Sequence, residues 1–305
     1  MTRPHLNYDR IAATYHRRYA VSRLAGVQAG LELLARQSSA QRVLEVGCGT
    51  GHWLGILQPF VRQAVGVDMS RPMLGQAQAR DVPAGLVQGR AGRLPFSNAT
   101  FDLVVCVNAL HHFDSVTGYL RDACRLLRPG GALAIVGLAP HGRKADWYLY
   151  EYFVGAFETD LRRFPTWGRL VDKLVGLGVS RITWEWAERI EKTYFGREVL
   201  EDPFLDRDST SQLALLSAEA YAAGRRRLEE AIAEGERRGQ AQPFPANVHL
   251  GMLVGYMEYD VRHNLIRLTD PLSRATHFGY DGRDNLTIIT NTMEATTSFT
   301  YDSHG

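Results

Sequence analysis

The sequence predicts an α/β protein: a doubly wound, mostly parallel sheet with helical insertions, followed by a short β-hairpin tail of different character. Three observations carry this reading. Short apolar runs alternate with stretches of helical length between Gln41 and Leu138, as in sheets built from βαβ units. The run Val43-Leu44-Glu45-Val46 ends in the turn Gly47-Cys48-Gly49-Thr50-Gly51, and the next run, Ala64-Val65-Gly66-Val67, ends in Asp68. After Met257, Tyr-Asp pairs recur every 21 residues, at 259, 280 and 301, which marks a repeat.

Taken in order, Tyr8, Ile11, Ala12, Tyr15 and Tyr19 stand at helical spacing. They predict a helix that packs on the core, covers the site, or does both. Strands are expected at 42–46, 63–68, 85–88, 101–107 and 132–137, and helices at 52–57, 72–79 and 115–127. Ser70 can cap the second of these helices, with Pro72 in its first turn. Pro129-Gly130-Gly131 stops the third and turns the chain into the next strand. From 139 to 178 aromatic residues crowd together, including Trp147, Tyr148, Tyr150, Tyr152, Phe153, Phe157, Phe164 and Trp167. They can form core or wall an apolar pocket. A strand follows at 179–186. The segment 187–245 is too long for a simple connection and holds a helix near 218–238, before a last strand at 246–254.

Composition narrows the function classes. Lys and Arg total 35 against 33 Asp and Glu, a net charge of +2, which gives no argument for nucleic acid. The run Arg225-Arg226-Arg227 lies in a Glu- and Ala-rich helix and reads as a solvated face. No apolar run reaches the ~18 residues of a membrane-spanning helix, and the start lacks a signal-peptide core. Cys48, Cys106 and Cys124 are too few and too scattered for a disulfide framework, a zinc site or a converging thiol set for arsenic. A cytoplasmic location is the simplest expectation.

The glycine turn points to a ligand. Glycine lets the backbone approach a bound molecule and adopt positive φ. A dinucleotide fingerprint requires a third glycine three positions after the second. His52 and Leu54 occupy the two places where it would fall, which argues against an NAD-dependent oxidoreductase. There is no Gly-Lys-Ser/Thr run for a phosphate loop. Asp68 can accept two hydrogen bonds from a ribose diol, roughly 1.5–3 kcal/mol each.

At these residues the chain resembles the class I S-adenosylmethionine-dependent methyltransferases, in particular the bacterial small-molecule group related to the ubiquinone-biosynthesis type. The resemblance spans about Tyr8 to Met257. It rests on Glu45 to Gly51, Asp68, Leu94-Pro95-Phe96 with Phe101-Asp102-Leu103-Val104, Leu110-His111-His112-Phe113 and Leu127-Arg128-Pro129-Gly130-Gly131. It implies a Rossmann-like, seven-stranded sheet in residues 1–257, closed by an antiparallel pair, with insertions near 139–178 and 187–245. It also implies S-adenosyl-L-methionine as cofactor and a small-molecule methyl acceptor. Glu45 would lie near the amino group of the methionine portion. Gly47, Cys48, Gly49 and Gly51 would pass backbone under the ligand. Asp68 would hold the ribose, and Met69, Ala91 and Asn108 would line the site. His111 or His112 would be the base where one is needed; no metal is expected. Many relatives carry an acid where this chain has Arg90, and Arg90 cannot accept a bond from the adenine amino group. Arg90 is therefore expected to face solvent.

The tail, 258–305, resembles the tyrosine-aspartate (Rhs/YD) repeats of large β-shell proteins. Asn264-Leu265 matches Asn285-Leu286, and Thr276 and Phe278 match Thr297 and Phe299. Two periods rarely stand alone, so the tail is expected to be an incomplete fragment that packs poorly and is dispensable for cofactor binding. A non-catalytic interaction module of a repeat protein is the alternative to an enzyme.

Overall fold

Apolar runs of four to seven residues, each ended by a polar or glycine-containing turn, become the strands of the central sheet. The computed structural model describes residues 24–142, 144–258, 264–269, 274–291 and 293–302, with Ala12 and Arg262. The helix expected over 8–19 lies outside the described residues apart from buried Ala12, as do Tyr259-Asp260 and Asp270-Pro271.

In chain order the first half comprises α1 (Ala25–Gln37), β1 (Arg42–Val46), α2 (His52–Leu57), β2 (Gln63–Asp68), α3 (Arg71–Ala79), β3 (Gly85–Gln88), β4 (Phe101–Val107), α4 (Val116–Leu126) and β5 (Leu127–Leu138). The Ser70 hydroxyl caps α3 by accepting from the Met73 amide at 3.3 Å, and Ser115 caps α4 through Gly118 at 2.9 Å. The second half comprises β6 (Asp146–Trp147), α5 (Tyr148–Tyr152), α6 (Ala156–Arg163), α7 (Trp167–Val175), β7 (Val179–Ile190), β8 (Thr193–Phe195), α8 (Ser211–Ala214), α9 (Ala218–Arg237) and β9 (Pro243–Met257).

Strands β1 to β5 are parallel, in the order β3-β2-β1-β4-β5. β9 runs antiparallel beside β5, with Gly137 opposite Gly251, and β7 pairs antiparallel on its far side. All seven expected strands are therefore present. The two short strands β6 and β8 pair with the opening residues of the long β9. The chain leaves β1 toward β2 and β3, then returns to β4 on the opposite side. That reversal opens a crevice at the carboxyl ends of β1 and β4, where open α/β sheets hold ligands.

Each face of the sheet carries its own core. Leu44, Val104 and Ile135 pack with Tyr119, Leu120 and Leu174 on one side. Val43, Val105 and Ala134 pack with Leu31, Trp53 and Leu54 on the other. The aromatic stretch after Ala139 builds a third core: Trp147, Tyr148, Tyr150 and Phe153 are buried with Leu228 and Ile232 of α9 and Phe244 of β9. Most of these aromatics are thus structural, and an apolar substrate pocket there is not needed to explain them. A buried polar set locks this unit. Asp160 accepts from the Tyr150 hydroxyl at 2.6 Å and the Gln212 amide at 2.8 Å, and pairs with Arg163. The basic run on α9 is only partly a solvated face, because Arg227 donates to the Tyr152 carbonyl at 2.9 Å.

The tail forms a separate antiparallel sheet of β10 (Arg267–Thr269), β11 (Ala275–Tyr280), β12 (Leu286–Thr290) and β13 (Thr296–Ser298). The repeat has a visible mechanical unit. The Tyr280 hydroxyl donates to the Leu265 carbonyl at 3.0 Å, and Tyr301 donates to Leu286 at 2.8 Å. No residue of β11 to β13 is buried. The tail meets the main domain where the Ile266 amide bonds the Glu258 carbonyl at 2.7 Å and Arg267 reaches the Gly130 carbonyl at 3.4 Å.

Candidate functional site

A cleft of about 600 Å³ opens at the carboxyl ends of β1, β2 and β4. Glu45, Gly47, Cys48, Gly49, Asp68, Met69, Ala91, Asn108 and His112 line it. Of the residues singled out from the sequence, Gly51 and His111 do not.

The turn after β1 is shaped by backbone demands. Gly47 has φ of +78°, and a Cβ there would lie 2.4 Å from the Ala109 Cβ. The Gly47 and Cys48 amides donate to the Val67 carbonyl at 2.7 and 3.1 Å, which ties the turn to β2. Asp68 completes the brace. Its Oδ2 accepts from the Gly49 amide and its Oδ1 from the Ser70 amide, both at 2.8 Å. A carboxylate has about four acceptor positions, and these two amides take two. Gly51 precedes α2 at φ +74°, and an added Cβ would crowd Val82 and Ala77 at 3.0–3.2 Å, so its place is set by packing as well as by the turn.

Glu45 is the most unusual group in the cleft. It is fully buried, and neither carboxylate oxygen has a hydrogen-bond partner. Burial, and next the charge of Asp68, hold its carboxyl well above the ordinary range; the nearby Leu54 amide, short of hydrogen-bond geometry, opposes them in part. A buried carboxylate without a partner is costly, and a cationic ligand group would relieve that cost. Cys48 is not a nucleophile, because burial and the charges of Glu45 and Asp68 push its thiol pKa well up. Burial raises Cys124 to about 12.

Asn108 ends β4 in the left-handed region at φ +51°, with its amide on the Val136 carbonyl at 2.8 Å. Such conformations in non-glycine residues store strain and gather at functional sites. The two histidines separate. His112 lines the cleft, whereas His111 is buried, with its ring stacked on Phe164 at 4.0 Å between centroids and 3.8 Å from the His112 ring. Met69 is 53% exposed on the cleft wall. Arg90 is largely exposed, as expected, yet it lines the cleft and pairs with Asp114 at 2.9 Å.

Phe113 of the Leu110–Phe113 motif also lines the wall, as do residues that motif reading missed: Trp53, Met73, Arg93, Asp114 and Ser115. Trp53 alone carried a signal, since it stands two residues past the glycine turn. The others reach the cleft from α3, from the loop after β3 and from the segment between β4 and α4.

Comparisons with known proteins agree with this geometry. Residues 44–135 match the family described as a methyltransferase domain, and residues 259–292 match the RHS repeat. An uncharacterised methyltransferase of Synechocystis is 35% identical over 150 residues, which is 46% of this chain and 71% of that protein. The demethylmenaquinone methyltransferase of Roseiflexus is 32% identical over 183 residues, 49% of this chain and 77% of that protein. The chain spans less than half the length of several other curated relatives that it matches. In structure, the YcgJ protein of Bacillus aligns with a TM-score of 0.52 at 22% identity, covering 74% of this chain and 97% of its own. The sheet order, the braced glycine turn and the sequence matches agree, and the chain belongs to the S-adenosylmethionine-dependent methyltransferases.

Proposed function

We propose that the protein transfers a methyl group from S-adenosylmethionine to a small-molecule acceptor through an oxygen, nitrogen or carbon nucleophile, by in-line displacement. The observation that carries this is the buried, partnerless Glu45 carboxylate on the wall of an open cleft. When bound, the cofactor supplies an activated methyl group, so the protein's task is alignment and exclusion of water. Well-aligned reactants gain roughly 7–11 kcal/mol over free ones. In this reading Glu45 receives the methionine ammonium and Asp68 the ribose hydroxyls. The turn 47–49 passes bare backbone beneath them, while Met69 and Ala91 flank the base. Asn108 marks the meeting point of donor and acceptor. His112 faces the cleft and is the residue placed to take a proton from an acceptor that must lose one; His111 holds the His112 ring.

The buried aromatics of the insertion remove the reason to favour an apolar acceptor. The test is incubation of the full chain with labelled methyl donor and a fractionated metabolite pool, followed by mass identification of the product. Titration with NAD in parallel addresses the oxidoreductase alternative. Saturable binding of S-adenosylhomocysteine without any transfer in the pool would favour the interaction-module reading.

A further inference from the structure

A second cavity, of about 550 Å³, adjoins the first and shares Asp114 and Ser115 with it. It lies where the starts of α4 and α7 converge. Resting on the methyltransferase reading above, we propose that this cavity binds an anionic substituent of the methyl acceptor, a carboxylate or a phosphate.

The charge distribution is the argument. Arg162, Arg169, Lys173 and His141 line the cavity, and Asp114 is a carboxylate on the same wall. Asp114 is already paired with Arg90 on the cofactor side. Arg162 donates to the Thr159 hydroxyl at 3.0 Å. His141 is held by its Nε2 against the Phe164 carbonyl at 2.9 Å. Arg169 and Lys173 stand four apart on α7, which places both on one helical face.

Their location makes this concentration of charge unusual. Helix starts carry partial positive charge and favour acids. Neither α4 nor α7 has an acid in its first turn, and Arg169 sits within the first turn of α7. Two positive helix ends and three cationic side chains therefore face one space with one neutralised carboxylate. Self-repulsion makes that arrangement unfavourable in the empty protein, and an anion in the cavity offsets it. The shared wall at Asp114 and Ser115 allows one molecule to place its anionic end in this cavity and its nucleophile beside His112.

The test uses the full chain saturated with S-adenosylhomocysteine, at low ionic strength. Inorganic phosphate and succinate are titrated separately by calorimetry into the wild type and into a variant carrying Arg162→Ser, Arg169→Ser and Lys173→Ser. At least one anion is expected to bind at one site, with affinity at least tenfold weaker in the variant. S-adenosylhomocysteine affinity should agree within twofold between the two proteins. Preference for phosphate assigns a phosphate ester, and preference for succinate assigns a carboxylate. The single variant Arg169→Gln, which leaves two cations, should show an intermediate loss and guards against misfolding of the triple variant. Absence of binding by either anion, or equal binding by wild type and variants, overturns the proposal while leaving the cofactor site untouched. A silent S-adenosylhomocysteine titration would instead overturn the reading on which this proposal rests.

Discussion

Glu45→Gln should stabilise the ligand-free protein and cripple cofactor binding at once. The Glu45 carboxyl is fully buried, lacks a partner and has its pKa raised by burial and by Asp68. A raised carboxyl pKa means that the folded state binds more protons than the unfolded state between the two pKa values. Stability therefore falls as pH rises from about 4.5 toward the folded value. At pH 7 the ionised carboxylate therefore works against the folded state. The amide carries no charge, so the variant should be more stable at pH 7. Tm should rise by roughly 2–4 °C for each 1 kcal/mol gained in a domain of this size, and the decline in stability above pH 4.5 should flatten. Binding should move the other way. Losing the carboxylate that faces a buried ammonium costs about 2–3 kcal/mol, a 30- to 150-fold weaker Kd for S-adenosylhomocysteine. Thermal melts across pH 5–8 and calorimetric titration supply both numbers. Wild-type binding should also release a proton, seen as a dependence of the heat on buffer ionisation. A variant that is less stable and binds unchanged would show that Glu45 only braces the turn, and the reasoning would fail.

Asp68→Ala should lower S-adenosylhomocysteine affinity at least 100-fold, since it removes two charge-assisted bonds of roughly 1.5–3 kcal/mol each; unchanged calorimetric affinity would contradict the ribose role. Once an acceptor is identified, His112→Ala should reduce kcat about 100-fold with cofactor affinity intact, whereas His111→Ala, which removes the stack on Phe164, should mainly lower Tm. His52 sits at the start of α2, and burial, with Arg80 second, lowers its pKa to about 4. Between about pH 6.5 and 4 the unfolded chain takes up the proton first, so stability falls on acidification. Water screens the partly buried ring, which leaves about 1–2 kcal/mol; urea titrations should show that slope vanish in His52→Gln. Deleting residues 259–305 should leave S-adenosylhomocysteine affinity within twofold, and a tenfold loss in a folded truncation would show that the tail supports the site.

Much of the cofactor cleft was readable from the chain because its parts are local. Glu45 to Gly51 is one turn, and Asp68 closes the adjacent strand, so the spacing of glycine and acid reports the backbone geometry directly. The role of Gly51 is not legible in the sequence, because a positive φ suits a ligand or a close helix, and only the fold brings Val82 and Ala77 against it. Which of His111 and His112 reaches the cleft is not legible in the sequence, because adjacent residues differ by a rotation, and only the fold stacks His111 on Phe164. The aromatics after Ala139 were ambiguous for a related reason: core and pocket use the same side chains, and α9 supplies the missing partner from some 80 positions downstream.

Strand positions, the glycine turn and the 21-residue period follow from apolar alternation and backbone conformation, which neighbouring residues set among themselves. The burial of Glu45 without a partner and the placing of Asp114 and Arg169 around one cavity belong to the folded molecule alone. Their energies come from desolvation and from charge brought together across distant segments, quantities with no value until the chain has closed around them.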